Sequence, residues 1–275
     1  MYFATGRRQR ALISFAHQPT RTKPEKPHAM ALVYSVIIPA YNEEVWLAKS
    51  LPALAAAMAM IDAAGEVIVV DNNSSDRTAE VAREHGAQVV FEPHNQISRA
   101  RNTGARAASG RYLVFLDADT TMSAELLRCA TANLSGGECC GGGALVRFDP
   151  ALPIYARWIL RLWNWLAVRW KLAAGCFVFC LREGYEGIGG FNERVFASED
   201  IWFSQRLRRW GSCKGLGFTI IPEPPIVTSA RKMQDYPLRN FLAFCFVMAF
   251  PVAVFSRRLS CLWYYREGSE PPPGR

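Results

Sequence analysis

Two carboxylates, Asp117 and Asp119, flank Ala118 directly after an apolar run at residues 112–116. The run is short, aromatic-rich and uninterrupted, which is typical of a buried strand in a parallel sheet. In open α/β sheets ligands bind outside the carboxyl ends of the strands, so the pair is expected where a ligand collects. Paired carboxylate oxygens suit a hard divalent cation that also holds a diphosphate. The alternative is that one aspartate only caps the helix that follows.

Two earlier segments repeat the layout of a strand, a polar loop and a helix. The first strand is expected to stop at Pro39, because proline cannot continue a central strand, and the second runs into Asp71. Alternating strands and helices at this spacing predict a parallel sheet with right-handed crossovers, which brings Asp71 and the aspartate pair to one edge. The predicted elements are strands over 34–38, 66–70, 89–91 and 112–116, and helices over 46–60, 77–85 and 98–108.

Five short motifs stand in an order that resembles family 2 glycosyltransferases over about residues 34–230. The resemblance implies an α/β GT-A fold, Rossmann-like, with a mostly parallel sheet flanked by helices. It also implies a nucleotide-sugar donor of the UDP or GDP type, bound Mg²⁺ or Mn²⁺, and inversion at the anomeric carbon. The motifs are Pro39-Ala40-Tyr41-Asn42-Glu43, Asp71-Asn72-Asn73-Ser74-Ser75-Asp76, Ala100-Arg101-Asn102-Thr103-Gly104, Asp117-Ala118-Asp119 and Ser198-Glu199-Asp200.

The matching positions carry expected roles at the donor site. Asp119 is the first choice of metal ligand, since a bound divalent cation neutralises a leaving diphosphate as a Lewis acid. Asp117 is expected to contact the ribose or the donor sugar, or to reach the metal as well. Asp71 should accept hydrogen bonds from the base. The remaining predicted pocket residues are Pro39, Ala40, Tyr41, Glu43 and Ala118.

Three arginines could supply positive charge to the diphosphate. Arg101, or Arg99 beside it, could reach it from the predicted helix, although helical arginines are more often solvated or paired with carboxylates. Arg231 follows a strand-like segment at 218–221 and matches a mobile loop of the resembled family, so it is a candidate clamp. Some relatives supply a metal-binding histidine from this region. The histidines here are His17, His28, His85 and His94, so that ligand is absent or replaced.

Asp200 is the candidate general base. The attacking hydroxyl must lose a proton, and inverting transfer needs a carboxylate on the face opposite the leaving group. Asp200 stands just before a predicted helix over 201–210, with Ser198 as its cap, so helix capping alone would also explain a carboxylate there. The segment 189–193 resembles the glycine-rich approach to the family's acceptor site and favours the catalytic interpretation. Glu199 would bind the acceptor or tune Asp200.

Length and composition are consistent with one large α/β domain. The chain has 275 residues, half of them apolar, and a net charge of +8. Six basic residues against one acidic residue precede residue 30, and the rest carries no nucleic-acid-binding motif, so no nucleic-acid partner is expected. Eight cysteines lack Cys-x-x-Cys spacing and are predicted to be reduced thiols. The glycine cluster 136–143 is predicted to be a flexible turn before a strand at 144–148.

Four regions are predicted along the chain. Residues 1–31 are expected to be a disordered basic tail, or to precede a true start at Met30. The glycosyltransferase domain would span 32–232, with a nucleotide-binding half at 32–120 and an acceptor half at 121–232. A hydrophobic segment at 233–263 would associate with a membrane or an interface, and 264–275 would be a second tail.

Two stretches suggest a membrane surface as a partner. The Trp- and Arg-rich segment 154–172 holds no acid and suits a headgroup region, although a helix covering the sheet would look similar. The apolar run 241–255 is too short to span a bilayer comfortably and is expected to lie in the plane or in a subunit interface. With no secretory signal, the predicted location is cytoplasmic, peripheral at the inner face of the cell membrane.

These patterns predict a metal-dependent inverting glycosyltransferase that acts on a lipid-linked or polysaccharide acceptor. A catalytically silent GT-A protein that binds nucleotides or serves as a scaffold is the alternative. A sugar nucleotidyltransferase is less favoured, because residues 39–44 lack the glycine- and lysine-rich phosphate loop of that class.

Overall fold

The computed structural model describes residues 32–149, 154–196 and 198–230, together with Met1. The predicted clamp Arg231, the tails and the hydrophobic segment at 233–263 lie outside the described residues. The elements are β1 (Tyr34–Ala40), α1 (Glu44–Ala59), β2 (Gly65–Asp71), α2 (Thr78–Glu84), β3 (Gln88–Phe91), α3 (Ile97–Ala107), β4 (Tyr112–Leu116), β5 (Thr120–Thr121), α4 (Ala124–Ser135), β6 (Cys139–Asp149), α5 (Ile154–Trp170), β7 (Phe177–Leu181), α6 (Arg182–Gly187), α7 (Glu199–Cys213) and β8 (Gly217–Ser229).

All eight described strands join one sheet in the order β3-β2-β1-β4-β7-β6-β8-β5. The first four are mutually parallel, and Ala40 pairs with Asp71 at the carboxyl ends of β1 and β2. Antiparallel pairs enter with β7, which joins β4 to β6, and with β5 beside β8, whereas β6 and β8 are parallel. The predicted α/β fold is therefore confirmed, with its purely parallel part confined to the first half of the domain.

Helices cover both faces of the sheet because alternate residues of each strand point to opposite sides. Val36 of β1 packs in one core with α1 and α4, through side chains such as Leu54 and Leu126. The next residue, Ile37, packs in the other core with α3 and α7, through side chains such as Leu207. Two apolar layers thus hold the sheet between helices and leave its carboxyl edge to the loops.

Proline does not end β1 as the sequence suggested. Pro39 lies within the strand, opposite Val70 of β2. Pairing with β4 stops at Ile37, so the missing N–H of Pro39 removes no hydrogen bond from that side.

The glycine cluster is also a correction to the sequence-based expectation. Residues 139–143 form the first half of β6 rather than a turn, and they pair with both β7 and β8. A Cβ on Gly141 would lie 2.5 Å from the carbonyl oxygen of Phe179, and one on Gly143 would lie 2.7 Å from Cβ of Ala173. Glycine is used here because neighbouring backbone and side chains approach closely.

Helix α5 packs one face on β6 and leaves the other in solvent. Asn164 accepts a hydrogen bond from the backbone N–H of Val146 at 3.3 Å and donates to its carbonyl at 3.1 Å. The backbone N–H and carbonyl of Val146 thus have side-chain partners at the point where the register of β6 with β8 shifts, between Ala144 and Val146. In the part of the chain that the structure describes, no helix combines the length and apolarity needed to cross a bilayer.

Candidate active site

Two loops at the carboxyl edge form the predicted nucleotide pocket and are tied to each other. In the β1–α1 loop, the N–H of Asn42 donates to Ser74 at 3.0 Å, and the buried backbone N–H of Glu43 donates to Thr78 at 2.8 Å. Asp71 accepts the N–H of Ser74 at 2.9 Å through Oδ1, and its Oδ2 takes no hydrogen bond from the described residues. One carboxylate oxygen of Asp71 therefore remains for a ligand, which is compatible with the predicted contact to the nucleotide base.

The aspartate pair lies on a turn that three other elements hold in place. Each of these contacts is a hydrogen bond to a backbone carbonyl. The N–H of Asp117 donates to the carbonyl of Cys176 at 3.2 Å, and the hydroxyl of Ser50 in α1 donates to that of Ala118 at 2.8 Å. The N–H of Ser229 donates to the carbonyl of Asp119 at 3.2 Å. Both carboxylates are partly exposed at this edge. The next helix, α4, is capped by Ser123, whose hydroxyl accepts the N–H of Leu126 at 3.1 Å. Capping therefore does not account for the pair.

Arg101 is buried between the aspartate pair and the start of α7. Its Nη1 donates to Oε1 of Glu199 at 2.7 Å, and its Nη2 donates to Oδ1 of Asp117 at 3.1 Å and to the carbonyl of Gly175 at 2.8 Å. The guanidinium also lies 5.2 Å from the ring centroid of Phe191. Burial opposes its charge, but the surrounding carboxylates outweigh burial and raise the pKa of Arg101. The side chain is a permanent buried cation.

Asp200 has the ionisation expected of a general base. Burial, reinforced by the charge of Glu199, raises the pKa of Asp200 to about 7 against the opposing effects of Arg101 and of the N–H groups of Ile201 and Gly175. A base whose pKa lies near neutral pH combines a useful unprotonated fraction with a strong pull on a proton. Burial and proximity to Glu199 thus raise the proton affinity of Asp200.

Ser198 does not serve as the predicted side-chain cap of α7. It occupies the N-cap position in the left-handed region, with φ 58°, and its side chain makes no capping hydrogen bond. Asn42 and Asn73, in the loops after β1 and β2, also have positive φ values of 52° and 65°. Three left-handed non-glycine residues thus lie in the loops of one site, where backbone strain commonly concentrates.

The predicted acceptor segment 189–193 is held against α3. The side-chain amide of Asn102 donates to the carbonyl of Phe191 at 2.9 Å, and its oxygen accepts the N–H of Phe191 at 2.9 Å. Gln96 donates to the carbonyls of Glu193 and Val195 at 2.7 and 3.1 Å. Gly190 has φ 70°, and a Cβ there would lie 2.8 Å from the oxygen of Asn102.

The aspartate pair fits a divalent cation that takes some of its ligands from the protein and the others from a substrate. Among the described residues no group of three His, Cys, Asp or Glu side chains could hold a metal by itself. Mg²⁺ and Mn²⁺ sites of this kind commonly use one or two carboxylates, water and substrate phosphates. Oδ1 of Asp117 accepts a hydrogen bond from Arg101, and Oδ2 accepts none from the described residues. Asp119 is partly exposed.

The predicted site residues therefore fall into two groups. The structure brings Asp117, Glu199 and Asp200 together around Arg101 and Gly175. The nucleotide-pocket residues Pro39, Ala40, Tyr41, Glu43, Asp71, Ala118 and Asp119 lie on or beside the carboxyl ends of β1, β2 and β4. Sequence reasoning missed Gly175, where a Cβ would lie 3.0 Å from Oδ2 of Asp200 and 3.3 Å from Nη2 of Arg101. Its only local signal is a glycine between small residues.

Comparison with known proteins identifies the fold. The structure of the mannosyltransferase PcManGT from Pyrobaculum calidifontis, in complex with GDP-Man and Mn²⁺, matches with a TM-score of 0.57 at 24% identity, over 74% of this chain and 60% of that chain. Glucosyl-3-phosphoglycerate synthase from Mycobacterium tuberculosis, in complex with Mn²⁺, UDP and glucosyl-3-phosphoglycerate, matches with a TM-score of 0.54 at 21% identity, over 77% of this chain and 75% of that chain. The fold is GT-A.

Sequence comparison gives the family. Residues 35–163 match the model of glycosyl transferase family 2. An uncharacterized glycosyltransferase of Mycobacterium tuberculosis is 38% identical over 138 residues, which cover 50% of this chain and 58% of that protein. Over these residues the chain is similar to glycosyltransferase family 2, and it spans less than two thirds of the length of this curated relative.

Proposed function

We propose that this protein is a metal-dependent, inverting glycosyltransferase that moves a sugar from a nucleoside-diphosphate sugar to a lipid-linked or polysaccharide acceptor. The observation that carries the proposal is the meeting of Asp117, at the carboxyl end of β4, with Glu199 and Asp200, at the start of α7, around the buried Arg101. A donor-side carboxylate and a base with a pKa of about 7 would then act from two sides of one guanidinium.

The donor half of the proposal rests on the loops after β1, β2 and β4. Asp71 keeps Oδ2 for the base, and Asp117 and Asp119 offer oxygens for the ribose, the sugar or the metal. The relatives solved with GDP-Man and Mn²⁺ or with UDP and Mn²⁺ support a nucleotide donor and a divalent cation. When bound, the cation would stabilise the charge of the leaving diphosphate.

The acceptor half rests on Asp200. Its carboxylate would take the proton of the attacking hydroxyl while the new bond to the anomeric carbon forms and the bond to the diphosphate breaks. Direct displacement of this kind inverts the anomeric centre. Glu199, held by Arg101, keeps a negative charge beside the base and so keeps its proton affinity high.

The test is turnover of a panel of UDP-, GDP-, ADP-, CDP- and dTDP-sugars with Mn²⁺ or Mg²⁺, with water as the acceptor. We expect one donor class to be cleaved by the wild-type protein and not by Asp200→Asn, which should still bind the nucleotide. The anomeric configuration of the released sugar, read by NMR before it mutarotates, should be opposite to that of the donor. Nucleotide binding without cleavage of any donor would favour the silent binding protein instead.

We also propose that α5 rests on an anionic membrane surface, which would place a lipid-linked acceptor near the site. Trp158, Leu162 and Trp165 are 65%, 57% and 61% exposed, and they follow one another at spacings of four and three residues along one face. The guanidinium of Arg161 lies 5.2 Å from the ring centroid of Trp158, and α5 contains no acid. Exposed tryptophans flanked by cations suit the headgroup region of anionic lipids.

Vesicle sedimentation tests this part. Binding to vesicles containing phosphatidylglycerol should be strong for the wild type and weaker for Trp158→Ser/Trp165→Ser. The matched control Val45→Ser/Met60→Ser removes two exposed apolar side chains, one in the first turn of α1 and one directly after its end, and should bind like the wild type. Equal binding by all three proteins would show that α5 does not contact the membrane. Equally strong binding of the wild type to neutral vesicles would show that the negative charge of the lipids is not needed.

A further inference from the structure

A fully buried arginine side chain links the two halves of the site. Arg101 is 1% exposed, and arginine is rarely buried to this extent unless it is paired. Its two terminal nitrogens contact carboxylates that lie on different elements, Asp117 after β4 and Glu199 at the start of α7. Its Nε is buried and makes no hydrogen bond with the described residues. The cation therefore lies between two anions inside the protein.

The location of Arg101 argues against direct use of its charge on a substrate. Both Nη atoms are directed at protein oxygens, and the guanidinium is stacked near Phe191 on a third side. A diphosphate would have to displace these contacts to reach it. Arg99, on the same helix, is more accessible to an anion in solution: its side chain is 39% exposed, and its Nη2 lies 3.6 Å from the partly exposed Glu193.

Stability alone is a weak reason for such a cluster. Removing three charged groups from water costs free energy that their mutual attraction only partly offsets, and well-packed apolar side chains often serve stability equally well. A planar guanidinium does offer a fixed geometry, because its donors form a rigid fork that holds two carboxylates at a set separation. Geometry is the property that a transfer reaction needs.

We propose that Arg101 is a positioning residue that fixes the donor-side carboxylate Asp117 and the acceptor-side pair Glu199 and Asp200 relative to each other. The inference rests on the proposed glycosyl transfer and adds a role that links its two half-sites. Arg101 acts through these carboxylates and contacts no reacting atom itself.

Neighbouring contacts hold α3 in place, as the positioning role of Arg101 requires. Asn102 and Gln96 bind the segment 191–195, which leads into α7, so the helix that carries Arg101 also fixes the approach to Glu199. Gly175 completes the arrangement, since its carbonyl accepts from Arg101 and a Cβ at this position would lie 3.0 Å from Oδ2 of Asp200. The base is thus linked to the guanidinium through Glu199 on one side and Gly175 on the other.

The test compares Arg101→Met, Arg101→Lys and Arg106→Met, the last being an exposed arginine of the same helix. The reaction is cleavage of the donor that the wild type accepts. Water attacks the anomeric carbon, the bond from that carbon to the diphosphate oxygen breaks, the nucleoside diphosphate leaves with the electron pair, and the proton of water passes to Asp200. Because water is the acceptor, no acceptor has to be identified first.

For Arg101→Met we expect kcat to fall about 100-fold while the KM for the donor changes only a few-fold, since misplacement of about 1 Å costs about that much. The acid limb of the pH profile should also move to higher pH, because Arg101 opposes the high pKa of Asp200. Arg101→Lys should restore part of kcat, and Arg106→Met should match the wild type. Loss of folded protein alone would lower the active fraction without moving the pH profile.

Should Arg101→Met not fold, Arg101→Met/Glu199→Gln removes both members of the tightest ion pair and should restore soluble protein without restoring kcat. A soluble Arg101 variant with kcat within about threefold of the wild type and an unmoved pH profile would overturn the inference. No cleavage of any donor by the wild type would instead overturn the proposed function, so the two failures are distinct.

Discussion

Arg101 and Glu199 lie 98 positions apart in the sequence, and Nη1 of the arginine donates to Oε1 of the glutamate at 2.7 Å. The contact joins the helix that follows β3 to the helix that carries the candidate base. The same guanidinium also donates to Asp117, which lies at the proposed donor end of the site. One buried side chain thereby connects parts of the molecule that sequence motifs present separately.

Asp200→Asn should remove donor cleavage while leaving the protein at least as stable. The pKa of Asp200 is about 7 in the folded protein and 3.8 in an ordinary environment, so between these values the folded state holds a proton that the unfolded chain has released. Wild-type stability therefore falls as pH rises from about 4 to about 7. At pH 8 the variant should melt about 2–4 °C or more above the wild type, and at pH 4 the two should coincide. Calorimetry across pH measures this, and a lower melting temperature for the variant at pH 8 would contradict it.

Glu199→Gln should shift the pH dependence of catalysis to lower pH. The wild-type rate should rise as pH passes through about 7, because the base works only when it is unprotonated. The charge of Glu199 is the second cause, after burial, that raises the pKa of Asp200, so its removal lowers that pKa. The profile of kcat/KM for donor cleavage between pH 5 and 9 checks the direction. A shift to higher pH would mean that Glu199 does not act on Asp200 in this way.

Gly175→Ala should impair catalysis more than folding. A Cβ at this position would lie 3.0 Å from Oδ2 of Asp200 and 3.3 Å from Nη2 of Arg101, so one of these groups must move by a few tenths of an ångström. We expect donor cleavage to fall by about 10- to 100-fold, with a small change in melting temperature. Gly136→Ala is the matched control, because its Cβ would meet nothing closer than 3.4 Å. Equal activity in both variants would show that the site tolerates the displacement.

Asn164→Ala should destabilise the part of the sheet formed by β6 and β8. Its amide bonds both the N–H and the carbonyl of Val146 at a register shift of β6, and alanine would leave these groups without side-chain partners. The expected loss is about 1–3 kcal/mol of the free energy of unfolding, measured in urea. The control Asn133→Ala removes a hydrogen bond from the side-chain amide to the carbonyl of Cys129 within α4, and it should lower the free energy of unfolding by less. A larger loss for Asn133→Ala than for Asn164→Ala would contradict the assignment.

The sequence was sufficient for elements whose side chains repeat with a clear period. The strand at 112–116 was predicted with the bounds that the structure gives it, and β1, β2 and β3 end within two residues of their predicted ends. β-branched and aromatic runs indicate buried strands regardless of what surrounds them. The carboxyl ends of those strands then fixed where Asp71, Asp117 and Asp119 would lie.

The errors arose where tertiary contacts override a local rule. Glycines usually indicate turns, yet Gly141 and Gly143 lie in β6 because Phe179 and Ala173 leave no room for a Cβ. Proline usually ends a strand, yet Pro39 stays in β1 because β4 has already ended beside it. The ion pairs of Arg101 and the role of Gly175 depend on residues far away in sequence, and no local pattern encodes them.

The most direct test of the account is nucleotide binding to the wild type, to Asp119→Ala and to the control Asp62→Ala, an exposed aspartate outside the site. Thermal shifts are measured with UDP, GDP, ADP, CDP and dTDP, each with and without Mn²⁺. A nucleotide at 100 times its Kd adds about 2.7 kcal/mol to the free energy of unfolding. We predict a Mn²⁺-dependent stabilisation by one nucleotide that Asp62→Ala retains and Asp119→Ala loses. Stabilisation by none of them, or full retention in Asp119→Ala, would contradict the assignment of this edge of the sheet as a metal-dependent donor site.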